Sequence, residues 1–349
     1  MPYRARETRR PLRLRVERLD PRLPLAGDVT ATLAAGVLTL QGDVEANGVE
    51  VSVTQAGDLL VAGRRVDGVD TSLVVDGEAV AERAFRDVTV LRVRLGAGAD
   101  SFRLFGRETF DLDAVDIGTG PGADRCMLDL HATLAGSATI STGADDDFVS
   151  LSATVLGDLR LLTGDGADQV SGEWIFVGGR TIIDTGTATL TMSGAGPNGR
   201  PLVGRDLVVR ALGGGMTVGI DGVSVGRDLR VSTGAGEDLV TVSQLATGRR
   251  LQVATGPGNG TVRVDGVAVG EDARLVGGAN ADSVRMRSSS VQRRLFANLG
   301  AGGDALDVNG VAVGRTDLRG GAGTDALVTD LLLNLVAPTF RGFESVERG

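Results

Sequence analysis

The sequence predicts an all-β fold: a single-stranded parallel β-helix (β-solenoid), roughly triangular in section, with about 22 residues per rung. Three observations predict it. Glycine occupies 53 of 349 positions while aromatic residues make up only 3%, so small, β-branched and turn-forming residues replace the large anchors of an ordinary globular core. Apolar residues recur at a spacing of 22 through Val203, Val225, Thr247, Val269, Val291 and Val313. Three further columns keep that register: Gly204, Gly226, Gly248, Gly270 and Gly314, broken at Gln292; Arg205, Arg227, Arg249, Glu271, Arg293 and Arg315; and Asp221, Ser243, Asp265, Arg287 and Asn309. Within each period the apolar residues stand two apart, as in Val240 and Val242 or Leu229 and Val231, which is strand spacing. Glycine and β-branched residues fill the windows where a helix needs Ala, Leu and Glu, so helical repeats fail.

Taken in order, the chain opens with a basic arm, residues 1–26. Eight arginines against three acids give this arm +5, leaving −14 for the body of a chain whose net charge is −9. Such an arm suits nucleic acid, an anionic membrane surface or the acidic body of a neighbour, or it is a solvated, flexible tail. The acidic body and the scarcity of stacking aromatics argue against nucleic acid. Residues 27–90 read as irregular first rungs or a cap, with short strands near 36–42, 48–55 and 58–63. Residues 91–335 are the regular solenoid. Each period has three short strands, separated by turns such as Asp221-Gly222, Gly226-Arg227-Asp228 and Thr233-Gly234-Ala235-Gly236. Residues 336–349 form the expected C-terminal cap, with Phe340 and Phe343 as its plug. A lone rung cannot offset its own ordering entropy, so stability accumulates by stacking and both ends need covering. A weakly covered end would pair with a second copy, end to end.

The most regular corner carries a run of glycines followed by an acid, ending at Asp100, Asp124, Asp147, Asp168, Asp238, Asp282, Asp304 and Asp325. Its form is clearest in Gly96-Ala97-Gly98-Ala99-Asp100 and Gly300-Ala301-Gly302-Gly303-Asp304. The corner degenerates at Gly186-Thr187-Ala188 and Gly213-Gly214-Gly215, beside an expected loop insertion at 193–201, and Met216 and Gly260 stand where the acid would be. Rungs lie about 4.8 Å apart. Stacked carboxylates therefore repel by roughly 0.9 kcal/mol per pair in water and about 3.5 kcal/mol at an effective dielectric of 20. Three remedies exist: acceptance of turn N–H bonds, neutralisation by arginine, or Ca²⁺ between rungs.

Gly320-Gly321-Ala322-Gly323-Thr324-Asp325-Ala326-Leu327 resembles the haemolysin-type (RTX) calcium-binding repeat. That family repeats every nine residues or so, two motifs per rung, whereas one motif recurs here every 21 to 24 residues. The resemblance covers one corner of a larger coil. What it implies is calcium at the eight aspartates and folding after export. A second resemblance lies in Leu14-Arg15-Val16-Glu17-Arg18-Leu19-Asp20-Pro21-Arg22-Leu23-Pro24-Leu25-Ala26, which is similar to the Leu-Glu-Pro-Arg-x-Leu-Leu (LEPR-XLL) segment that opens many large exported or surface repeat proteins of planctomycete-type bacteria. It departs at Asp20 and Pro24, covers about a dozen residues, and implies an extracellular or cell-surface location.

Composition also narrows the chemistry. One His, one Cys and no Lys leave no lysine nucleophile, no Schiff base and no His pair for zinc. Cys126 has no partner for an internal disulfide. No apolar run reaches the roughly 18 residues of a membrane span, and the stretch 23–40 is spoiled as a secretory core by Asp28. Paired acids such as Asp145, Asp146 and Asp147 could serve a polysaccharide lyase or hydrolase, but they sit on the repeating turn. His131 reads as a rung residue rather than a base. A threonine column, Thr119, Thr142, Thr163, Thr185, Thr233 and Thr255, suggests an ice-binding face, yet a turn glycine follows each threonine. The sequence thus points to a non-enzymatic structural or interaction protein of the cell envelope, partnering itself or envelope components, with no required cofactor. The alternatives are a calcium-binding module and a polysaccharide-active enzyme.

Overall fold

The computed structural model describes residues 27–66, 68–106, 110–194, 202–330, 333–334 and 337–348. The basic arm with its Leu-Asp-Pro-Arg segment, and 195–201 of the expected insertion, lie outside the described residues. The described chain contains no helix and winds as a parallel β-solenoid of about 11 turns, with a rung of about 22 residues.

Each rung offers up to three strands, one to a face. Face A is built from strands such as Val90–Arg94, Leu207–Ala211, Asp228–Thr233 and Arg250–Ala254. Face B follows the glycine corner, with Ser101–Gly106, Asp238–Ser243, Gly260–Asp265 and Ser283–Arg287. Face C is short, as in Ser224–Val225, Ala246–Thr247 and Ala268–Val269. In places two faces merge into one bent strand: A with B in Leu159–Glu173, C with A in Ser290–Gly302.

The pairing follows the columns read from the sequence. Val203, Val225, Thr247, Val269, Val291 and Val313 are successive partners, and so are Asp221, Ser243, Asp265, Arg287 and Asn309. The arginine column needs a correction at its end. A register shift between Val291 and Arg294 pairs Arg315 with Arg294 rather than Arg293.

Alternate side chains of faces A and B point inward and stack on their own kind. One row runs Leu40, Val93, Ile117, Ile140, Leu161, Ile183, Val209, Val231, Val253, Leu275, Ala297 and Leu318, every member at most 1% exposed. An aliphatic side chain recurs at every rung, so the core has no centre and extends with the coil. Where Thr181 and Thr316 enter the neighbouring row, they are buried with hydroxyls that lack a partner.

The N-terminal end is built differently. Val37–Gln41 and Gly48–Val53 form a true first rung, parallel to Val90–Arg94 and Ser101–Gly106. Their outer edges are covered by antiparallel strands, Asp28–Ala34 on the first and Leu59–Gly63 on the second. Leu59–Gly63, expected from the sequence to be a rung strand, therefore reverses direction. Asp28–Ala34 turns into Val37–Gln41 through Ala35 and Gly36, both at positive φ, the geometry of a two-residue primed turn; the same turn at Asp76 and Gly77 joins Ser72–Val75 to Glu78–Val80, while the longer loop 54–58 leads into Leu59–Gly63. At the other end, Thr339–Arg341 and Ser345–Arg348 continue the parallel pairing, and Phe340 and Phe343 pack partly buried against the core.

Candidate functional site

The glycine–aspartate corner gathers all eight aspartates singled out from the sequence, and the fold explains each residue type there. At Gly120, φ is +111° and a Cβ would lie 1.6 Å from the carbonyl oxygen of Gly96 in the preceding rung. At Gly96, Gly143 and Gly164 a Cβ would lie 1.7–2.0 Å from a preceding carbonyl oxygen. Only glycine lets successive turns stack at this distance. The second glycine of the motif is replaced by Asp145 and Asn280, which hold left-handed φ of 79° and 73°, as short polar residues can.

The acids do not face solvent. Asp100, Asp124, Asp147, Asp168, Asp238, Asp282, Asp304 and Asp325 are each at most 3% exposed. Each Oδ1 accepts a backbone N–H from the preceding rung: Asp100 N–H bonds Asp124 Oδ1 at 2.7 Å, Asp124 N–H bonds Asp147 at 2.9 Å, and Asp147 N–H bonds Asp168 at 3.1 Å. Downstream, Met216, Gly260, Asp282 and Asp304 donate in the same way to Asp238, Asp282, Asp304 and Asp325. Asn47 opens this ladder by donating to Asp100 Oδ1, and Glu344 closes it by accepting from Asp325 N–H.

The second carboxylate oxygen divides the column. In Asp168 and Asp238 it accepts the hydroxyl of the threonine five residues earlier, Thr163 and Thr233, and in Asp282 it accepts Gly278 N–H. In Asp100, Asp124, Asp147, Asp304 and Asp325 it is buried without a partner. Burial pushes Asp100, Asp124 and Asp147 up to about 6, outweighing the opposing pull of the nearby Thr119 and Thr142 hydroxyls, the Asn47 side chain and the backbone N–H bonds that they accept. Asp168, Asp282 and Asp304 are raised for the same first cause.

This arrangement does not fit Ca²⁺. A calcium ion takes about six to eight oxygens from several directions, whereas these carboxylates stand in single file with one oxygen each already committed to backbone. Among the described residues, no three His, Cys, Asp or Glu come together as a group able to hold a metal ion. Of the three remedies for stacked acids, backbone N–H acceptance is the one adopted, but between rungs rather than within the turn.

The remaining candidates have places in the coil. The threonine column is buried, so it offers no flat hydroxyl array, and Thr119 and Thr142 bond carbonyls of the next rung. Asp146 accepts Ala167 N–H from its exposed position, while Asp147 belongs to the inner ladder. Burial also pushes the Cys126 thiol up. His131 lies in the strand Arg125–Leu134, with its side chain outside the described residues. No helix of the described chain is long and apolar enough to cross a membrane. No protein-family model, curated protein or solved structure matches the chain.

Proposed function

We propose that the chain is a non-enzymatic, rigid scaffold of the cell envelope that presents its strand faces for adhesion or assembly. The observation that supports this reading most is the unbroken inner row from Leu40 to Leu318. It keeps the strands of face A paired residue on residue from rung to rung, so outward side chains there form rows about 4.8 Å in repeat. A surface patterned at constant pitch suits an extended partner, whether envelope polymer or a second copy. The similarity of the Leu19–Leu25 region to the LEPR-XLL segment supports an extracellular or surface location. Protease treatment of intact producing cells tests it: digestion or release of the protein without lysis is expected, and full protection within a cytosolic fraction would overturn it.

A further inference from the structure

The arginine column singled out from the sequence takes no part in the fold's core or its aspartate ladder. Arg205, Arg227, Arg249, Glu271 and Arg293 succeed one another at the corner between faces C and A, each joined to the last by a backbone bond of 2.7–3.0 Å. Arg227 and Arg293 keep side-chain exposures of 50% and 67%. Glu271 is shared among Arg249, Arg250 and Arg293 at 3.5, 3.9 and 3.6 Å, and Arg205 has no carboxylate partner among the described residues. One residue further along the same rungs, face A opens a cleft of about 240 Å³ lined by Arg250, Arg274, Arg294, Gln252, Asp272 and Phe296. The Phe296 ring holds three guanidinium groups over it, those of Arg274, Arg294 and Arg319 at 4.6, 5.1 and 5.2 Å. The opposite glycine corner bears exposed Asp145, Asp146 and Glu237. A protein of net charge −9 thus carries a cationic stripe on one edge.

Acids offset part of the stripe, Asp206 beside Arg227 at 3.8 Å, Glu271 among three arginines, and Asp317 against Arg294 and Arg319, and the arginine charge left over is what an anion would meet. We propose that this stripe and its adjoining cleft bind a linear carboxylated polysaccharide laid along the coil axis. Repeat length favours that class: a polyuronate presents one carboxylate per sugar ring, and a ring spans about one rung. Nucleic acid is favoured less, because the only ring in the cleft is already covered by arginines and is not free to stack bases. The proposal rests on the scaffold reading by naming a partner for one edge, but it is tested in solution, where cellular location plays no part.

The experiment titrates the purified chain with alginate, neutral dextran and an oligothymidylate, following affinity and melting temperature at low and moderate salt. Alginate is expected to bind, to raise the melting temperature by mass action, and to weaken as salt rises, as release of condensed counterions requires. Arg249→Gln with Arg293→Gln should lower the affinity about tenfold or more, and Arg274→Gln alone by less. Arg263→Gln with Arg285→Gln, exposed on face B, should leave it unchanged. The melting temperature without polymer reports whether each variant is folded. No alginate binding at low salt, equal binding of dextran, tighter binding of the oligonucleotide, or equal losses from the face B pair would each overturn the proposal. Failure here with surface exposure intact removes the polysaccharide and leaves the scaffold standing.

Discussion

Asp124 and Asp238 occupy the same place in the same turn, in two stretches of the coil that differ in regularity. Asp124 lies in the unbroken run Asp100, Asp124, Asp147, Asp168. Asp238 stands alone between Met216 and Gly260. The isolated acid is the better satisfied of the two, accepting Met216 N–H at 2.9 Å and the Thr233 hydroxyl at 2.7 Å. Asp124 accepts one backbone N–H, faces carboxylates on both sides, and leaves Oδ2 buried and unpartnered. Regular repetition of a residue is therefore no measure of what it contributes. Inside the run each acid meets a need for an acceptor and creates an electrostatic cost for its neighbours.

The largest expected effect separates corner from strand. Gly120→Ala drives a methyl group into the Gly96 carbonyl at a positive φ, and should cost at least about 4 kcal/mol or prevent folding. Chemical denaturation read by circular dichroism checks it. Next comes the comparison of the two acids. Asp238→Ala strands two donors and should cost about 3 kcal/mol at neutral pH, while Asp124→Ala, which also relieves repulsion, should cost about half as much. Equal losses would break the comparison.

Acidity sharpens it further. Asp100, Asp124 and Asp147 sit at about 6 in the folded chain, above their unfolded value near 3.8. A raised folded value means that the native state binds the extra proton. Its stabilisation is complete below the unfolded value and is lost as pH rises through about 6. The melting temperature should thus increase between about pH 7 and about pH 5, the reverse of a protein held by paired carboxylates. Changing the three acids to Asn, the residue already present at 47, should reduce that dependence, with Asp168, Asp282 and Asp304 supplying what remains. The smallest effect belongs to Gly219→Ala. In this strand interior of the interrupted stretch, the nearest atoms to a new Cβ are 3.9 Å away. The change should be neutral or stabilising by about 0.5 kcal/mol.

How far these features could be read beforehand depends on whether they repeat. The period, the three strands and the glycine corner were legible because every rung needs the same contacts and reuses the same residue types. The antiparallel end was missed because it repeats nothing, although Asp76-Gly77 between alternating residues is a strong local hairpin signal. Glu344 was missed because its step from Asp325 is 19 residues and its side chain is longer by one methylene. The pairing of Arg315 with Arg294 follows from a one-residue shortening that sequence spacing alone hides, since Val291 and Val313 keep the step of 22. The turn N–H acceptance expected of the aspartates is met from the neighbouring rung, which places them deeper than spacing alone indicates. Backbone N–H groups entering the turn need acceptors inside the coil.

The stacking of Gly120 on the Gly96 carbonyl makes the molecule a ruler graduated in single rungs. A residue gained or lost is absorbed within its own rung, as at the shift between Val291 and Arg294, and the pairing beyond it is kept. Removal or duplication of a whole unit, such as the 22 residues from 228 to 249, would rejoin like to like. Length in such a molecule can change by recombination in steps of about 4.8 Å, with the spacing of whatever it displays left untouched.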